Sequence, residues 1–386
     1  MIHLSPPRDK NLPQRLQENY DILAEIAKGE YYSVYRVRAV QDAREYIVKV
    51  LKNVPADVYQ MFFREIELLS SLKHWNILPV PDYELVAETR SGYLATPRYI
   101  SLRELIDVHW KTKDLTFVGT KISAIMSGVS KALDSATFKR PLSHNNIKPE
   151  NIFYSEADGS FLLGDWRYVR DYFEIVEAAG SPMKKGKGRF PPKNIYTAPE
   201  LMTAWNMNKE YKPKEKGLFL KTDVFSLGIV LLEVLRADPQ ELKVLNEMES
   251  ETVYEALMIT IVDEIKARWA YNNVMKIIKQ MLSKEPNDRP YPAQLWNALE
   301  SQSIKKAAEQ RTQQRSPSPQ RSSPQKSPIK MQYKDLADQY IERSPDEEKM
   351  DLSLKPKPRK SGILPLWHAF SGPISKYAVR RNYLTI

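Results

Sequence analysis

Strand-like alternation of apolar residues ends near Thr96, helix-like spacing begins after Tyr99, and from about Ser303 the chain turns polar and rich in Ser-Pro pairs. Together these predict an α+β fold in two lobes: a small five-stranded antiparallel sheet with one helix, then a larger, mainly helical lobe, then a disordered basic tail. The expected boundaries are an N-terminal extension over 1–18, a folded domain over 19–300 dividing into lobes at 19–97 and 98–300, and a tail over 301–386.

Each element has its own signal. Alternation in Tyr20–Ile26, Ser33–Val40 and Arg44–Leu51, with polar or turn-like breaks between, predicts three antiparallel strands. In Val58–Leu72, Phe62, Ile66, Leu69 and Leu72 recur at helical spacing, so one helix face packs on the sheet. Short strands near Ile77–Val86 and Tyr93–Thr96 complete the small lobe. Helices are then expected over Leu102–His109, Thr116–Thr137, Thr222–Leu235, Val274–Leu282 and Pro292–Leu299.

Composition excludes several classes of function. The chain of 386 residues has no Cys, which removes disulfides, thiolate metal sites and cysteine nucleophiles. The polar, Pro-containing start and the lack of a long apolar run imply a soluble intracellular protein without a membrane anchor. Its expected location is cytoplasmic, with the cytoskeleton or nucleus as alternatives. The tail carries 17 Lys and Arg against 8 Asp and Glu, whereas residues 1–300 carry 41 against 40. The basicity therefore belongs to the tail, and an acidic partner is to be sought there.

The stretch His144-Asn145-Asn146-Ile147-Lys148-Pro149-Glu150-Asn151 resembles the catalytic loop of eukaryotic protein kinases, with an amide in the slot of the acidic base. The family's loop runs HRD, with a Lys two residues on and an Asn five residues after the Asp. The resemblance implies that Asn146 replaces the base, that Lys148 holds the moving phosphoryl group and that Asn151 binds a metal. An amide can orient a hydroxyl but cannot take up its proton. Leu163-Gly164-Asp165-Trp166-Arg167 aligns with the family's DFG, which makes Asp165 the second metal ligand and puts Arg167 where a Gly permits switching. That element is expected to be fixed in one state. Mg²⁺ and ATP are the implied cofactors.

The same resemblance assigns the nucleotide cleft. The phosphate-covering hairpin reads Ala27-Lys28-Gly29-Glu30-Tyr31-Tyr32-Ser33-Val34: only Gly29 of three glycines remains, and Tyr32 and Glu30 should weaken backbone contact with phosphate. Lys49 matches the phosphate-pairing strand lysine and Glu65 its helix partner; a charge in an apolar strand needs one. Ile47 and Phe153 are larger than the family's usual adenine-facing residues, so both narrow the cleft. Val34 lines it, Thr96 is the gatekeeper, and Pro97 removes a backbone donor from the following hinge. Ala198-Pro199-Glu200, Arg289 and Asp223 match scaffold motifs: Arg289 would pair with Glu200, and Asp223 would cap the catalytic-loop backbone. Asn145 replaces the family's arginine that often receives an activation-loop phosphate, Lys193 stands where the family usually places a Thr that bonds the catalytic Asp, and Lys184, Lys185, Lys187 and Arg189 form a basic run.

These residues imply a degenerate, pseudokinase-like member that works as a scaffold or allosteric regulator. Two alternatives stay open: a weakly active Ser/Thr-type kinase, and a cytoskeletal or nucleic-acid adaptor acting through the tail. Ser318, Ser323 and Ser327 each begin a Ser-Pro-x-basic pattern favoured by cyclin-dependent kinases; each phosphate would add about −1.5 to −2 charge and offset the tail's excess. The expected partners are proteins, an active kinase or microtubules, with nucleic acid less well supported because no recognised module accompanies the tail.

Overall fold

A computed structural model describes residues 12–112, 121–137, 141–172, 193–207, 216–235, 239–247, 251–268 and 272–300. The basic run at 184–189, the Ser-Pro tail and the start of the helix expected from Thr116 lie outside the described residues.

Helix α1 (Gln14–Asn19) leads into β1 (Tyr20–Lys28), β2 (Tyr32–Ala39) and β3 (Glu45–Leu51), followed by α2 (Ala56–Ser71), β4 (Asp82–Val86) and β5 (Ser91–Pro97). The strands form one antiparallel sheet in the order β1-β2-β3-β5-β4. Because side chains alternate along a strand, the sheet has two distinct faces. Val37, Val48, Val50, Tyr93 and Ala95 pack with Leu16 of α1 on the outer face. Leu51 and Leu94 face inward against Tyr59, Phe62 and Ile66 of α2. Ile47 and Lys49 share that inner face by register, opposite Thr96 and Leu94. The expected fourth strand begins five residues late: Pro79 and Pro81 have no N–H for a ladder, and Ile77 instead bridges Leu163.

The second lobe contains β6 (Ile100–Ser101), α3 (Leu102–Thr112), α4 (Ile122–Thr137), β7 (Leu142–Ser143), β8 (Ile152–Tyr154), β9 (Phe161–Leu163) and β10 (Arg170–Asp171). Then come α5 (Pro199–Asn206), α6 (Lys216–Val234), α7 (Pro239–Glu247), α8 (Glu251–Arg268), α9 (Asn272–Met281) and α10 (residues 292–300). From Lys221 to Leu235 every residue of α6 or its end is buried, which explains an apolar sequence without a polar face. This central helix and α4 anchor the core. Sheets β6-β8-β9 and β10-β7 lie at the edges of the catalytic-like loop and hold both its ends. Among the described residues no helix is long and apolar enough to cross a membrane.

Candidate functional site

The loop that follows β7 is shaped by one buried carboxylate. Asp223 of α6 accepts hydrogen bonds from the backbone N–H of His144 (2.6 Å) and of Asn145 (2.8 Å), and from the Ser143 hydroxyl (2.9 Å). Burial pushes its pKa up to about 6 against the pull of those three bonds. Asn145 sits at φ 59°, a left-handed conformation that Asn tolerates better than most residues. His144 accepts from the Asn146 N–H through Nδ1 (3.2 Å), so its proton is on Nε2, 3.0 Å from the Gly164 carbonyl. Burial pushes His144 down to about 4, keeping the ring neutral. Its edge meets the buried Trp166 ring at 4.7 Å between centroids, which joins the loop to the Asp165 turn.

The two amides and Asp165 then converge. Asn146 donates from Nδ2 to Asp165 Oδ2 at 2.8 Å, and Asn151 donates from Nδ2 to the Asn146 carbonyl at 2.7 Å. An ionised carboxylate only accepts, so the nitrogen end of Asn146 must face Asp165. Its Oδ1 is left buried and without a hydrogen-bond partner. Arg167 grips Asp165 with two bonds, Nε to Oδ1 at 2.6 Å and a terminal nitrogen to Oδ2 at 2.9 Å. Lys49 Nζ lies 3.7 Å from Oδ1. Burial alone would raise Asp165, but the charges of Arg167 and Lys49 together outweigh it and hold the carboxyl below its ordinary range. Asp165 itself takes φ 58°, in the left-handed region.

The small lobe closes over this cluster. Lys49 pairs with Glu65 at 3.1 Å, so α2 is drawn in toward the cleft. Gly29 donates its N–H to the Tyr32 carbonyl at 2.7 Å, making the β1–β2 hairpin tight. A side chain at Gly29 would begin 3.3 Å from the Tyr32 ring, so the glycine gives that ring its room. Lys49 Nζ and Arg167 Cζ lie 5.4 and 5.1 Å from the Tyr32 ring centre. Register puts Val34 opposite Lys49 on the same face. Thr96 bonds the Ile47 carbonyl at 3.4 Å, and Arg98 ties the hinge to Glu45 through its N–H (3.1 Å) and its guanidinium (3.0 Å). The Phe153 ring leans on Gly164, where a Cβ would meet Phe153 at 2.9 Å and Leu78 at 2.8 Å. Gly164 therefore accommodates the large ring, a compensation that the size of Phe153 alone did not reveal.

Lys148 precedes the Pro149–Asn151 turn, its carbonyl accepting the Asn151 N–H at 3.0 Å. Two further networks brace the site. Arg103 reaches Glu150 (3.0 Å), the Tyr196 hydroxyl (2.9 Å) and buried Glu233 (2.9 Å), and Tyr196 donates to Glu233 at 2.7 Å. Sequence reasoning missed this cluster; the signal was Glu233, an acid near the end of an apolar helix, which needed a cation. Arg289 pairs with Glu200 at 2.6 and 2.9 Å, and also donates to the carbonyls of Ser283, Lys221 and Lys284. Lys193 is exposed.

A divalent metal at Asp165 does not fit these residues. Three donors and a nearby ammonium take up both its oxygens, and Asn151 has only a neutral carbonyl oxygen to offer. The sequence signal for this was present in Arg167 but was read for its backbone rather than for where its guanidinium goes. Phosphate-facing residues are occupied too, since Tyr32 lies against both cations.

Residues 20–300 match the family model described as protein kinase domain. A protein of Acanthamoeba polyphaga mimivirus whose name assigns it to the serine/threonine-protein kinases is 27% identical over 241 residues, covering 60% of this chain and 75% of its own length. The CaM kinase-like vesicle-associated protein of Xenopus laevis is 24% identical over 258 residues, covering 65% of this chain and 60% of its own. Proteins of this family generally bind ATP and Mg²⁺. With the matched span running from the first strand of the sheet to α10, the chain belongs to the protein kinase domain family.

Proposed function

We propose that this protein is a pseudokinase, a kinase-fold scaffold or allosteric partner that does not transfer phosphate. One observation carries the reading: an amide, that of Asn146, stands in the base's place with its N–H on Asp165, and an amide oxygen can accept a hydrogen bond but cannot take up the proton of an incoming hydroxyl. The intact Lys49–Glu65 pair, the Asp223 cap and the Arg289–Glu200 bridge support a fold kept for its surface. The adenine end of the cleft, between Ile47, Thr96 and Phe153, is where a nucleotide would serve as a structural ligand.

The test is transfer of radiolabelled phosphate from ATP by the purified full chain, beside its Asp165→Ala variant. Equal background counts are expected; transfer by the wild type that the variant abolishes would defeat the reading. A weakly active kinase is the second reading, favoured by the unpartnered Asn146 Oδ1, which could accept a hydrogen bond from a substrate hydroxyl. The tail's charge, net +9, supports an acidic protein partner such as the microtubule surface. Cosedimentation that survives deletion of residues 301–386 would contradict that assignment.

A further inference from the structure

We infer that Arg167 is a built-in cation that holds the place of the divalent metal, so that this cleft takes nucleotide phosphates without Mg²⁺. The inference goes beyond the lost base, because it concerns what Asp165 can bind rather than what Asn146 can deprotonate.

The geometry makes the exchange unfavourable for a metal. Arg167 delivers two parallel N–H···O bonds to the carboxylate, the strongest form of pairing open to that group. Asn146 adds a third. Mg²⁺ demands near-octahedral oxygen ligands at about 2.0–2.1 Å and gives up water reluctantly, so it would have to displace Arg167 Nε from Oδ1, or both the other Arg167 nitrogen and Asn146 from Oδ2. Charge points the same way. Lys49 and Arg167 already balance Glu65 and Asp165 within one connected cluster. Before nucleotide enters, a divalent ion would add two charges that no further acid of this cluster offsets among the described residues.

On the nucleotide side, Lys49 and Arg167 both lie against the Tyr32 ring of the hairpin, and guanidinium and ammonium N–H groups both suit phosphate oxygens. Entry of a phosphate would move Tyr32 from its seat over them while leaving Asp165 in Arg167's grip. The ligand class is thus a nucleotide phosphate not complexed to metal.

The experiment is thermal melting of the full chain with ATP in MgCl₂ and with ATP in EDTA, for wild type, Asp165→Asn, Arg167→Gly and Arg167→Gln. Wild type is expected to melt at the same temperature in both conditions, and in both above its temperature without ATP; no rise with ATP would overturn the inference. Arg167→Gly frees the carboxylate and is expected to bind ATP about tenfold more tightly with Mg²⁺ than with EDTA, read as an added upward shift. Arg167→Gln serves the same purpose if the glycine destabilises the turn. A Mg²⁺-dependent shift of the wild type that Asp165→Asn removes would overturn the inference, as would metal indifference in both Arg167 variants. Because melting is independent of phosphoryl transfer, a failure here is distinguishable from a failure of the pseudokinase reading.

Discussion

Asn146 and Asp165 can lie 2.8 Å apart only because one of them is neutral. Asn146→Asp would set two carboxylates against each other, competing for the same guanidinium, and one would hold its proton at neutral pH. Restoring the acid alone is therefore expected to leave phosphate transfer at background. Combined with Arg167→Gly, it is expected to give measurable transfer, of the order of the 10²- to 10⁴-fold that a general base contributes. Full rescue by the single substitution, measured with radiolabelled ATP, would show that Arg167 blocks nothing. The missing base was legible in the sequence because its identity is local information. The destination of the Arg167 side chain was not, because it depends on a turn that brings residues 165 and 167 back beneath the β1–β2 hairpin.

The loop from His144 to Asn151 has no regular structure beyond the short turn at Pro149–Asn151, so its shape rests on buried polar groups. His144 is the one whose protonation would break the loop: a proton on Nδ1 would face the Asn146 N–H that it now accepts. Its pKa, near 4 in the fold, lies below the ordinary value of about 6.5. Between those values the unfolded chain binds the proton and the folded one does not, so stability falls as pH drops. From pH 7 to pH 5 wild type should lose about 2 kcal/mol more than His144→Gln, measured by urea unfolding. Asp223, raised to about 6, titrates with the opposite sign, but is common to both proteins and cancels in the difference. Equal pH slopes would refute the role given to His144. Among elements, strands β1 to β3 and helix α2 were legible from periodicity. Helix α8 was passed over although Tyr254, Met258, Ile261, Val262 and Ile265 keep helical spacing, because acids and threonines between them dilute the apolar signal.

At the scale of the whole molecule, the fold is held by charges that α6 and its neighbours bury, and these are separate from the chemistry of the cleft. Arg289 is fully enclosed and joins Glu200 of α5 to the Ser283 and Lys284 carbonyls before its own turn and to the Lys221 carbonyl of α6. Arg289→Met should cost about 3–5 kcal/mol by stranding Glu200, with the cleft chemistry unchanged. A loss below about 1 kcal/mol in urea unfolding would place the bridge among surface pairs. The two-lobed architecture was readable because its scaffold motifs recur in order along the chain, whereas the charged cluster around Asp165 arises only when both lobes contribute: Tyr32, Lys49 and Glu65 from one, Asn146, Asp165 and Arg167 from the other. The most direct test of Arg167's hold on Asp165 is anomalous diffraction from crystals of the full chain grown with Mn²⁺ and ATP. The account predicts the Arg167 guanidinium on Asp165 and no manganese peak within bonding distance of that carboxylate. A peak bridging Asp165 and Asn151, with Arg167 turned away, would contradict it.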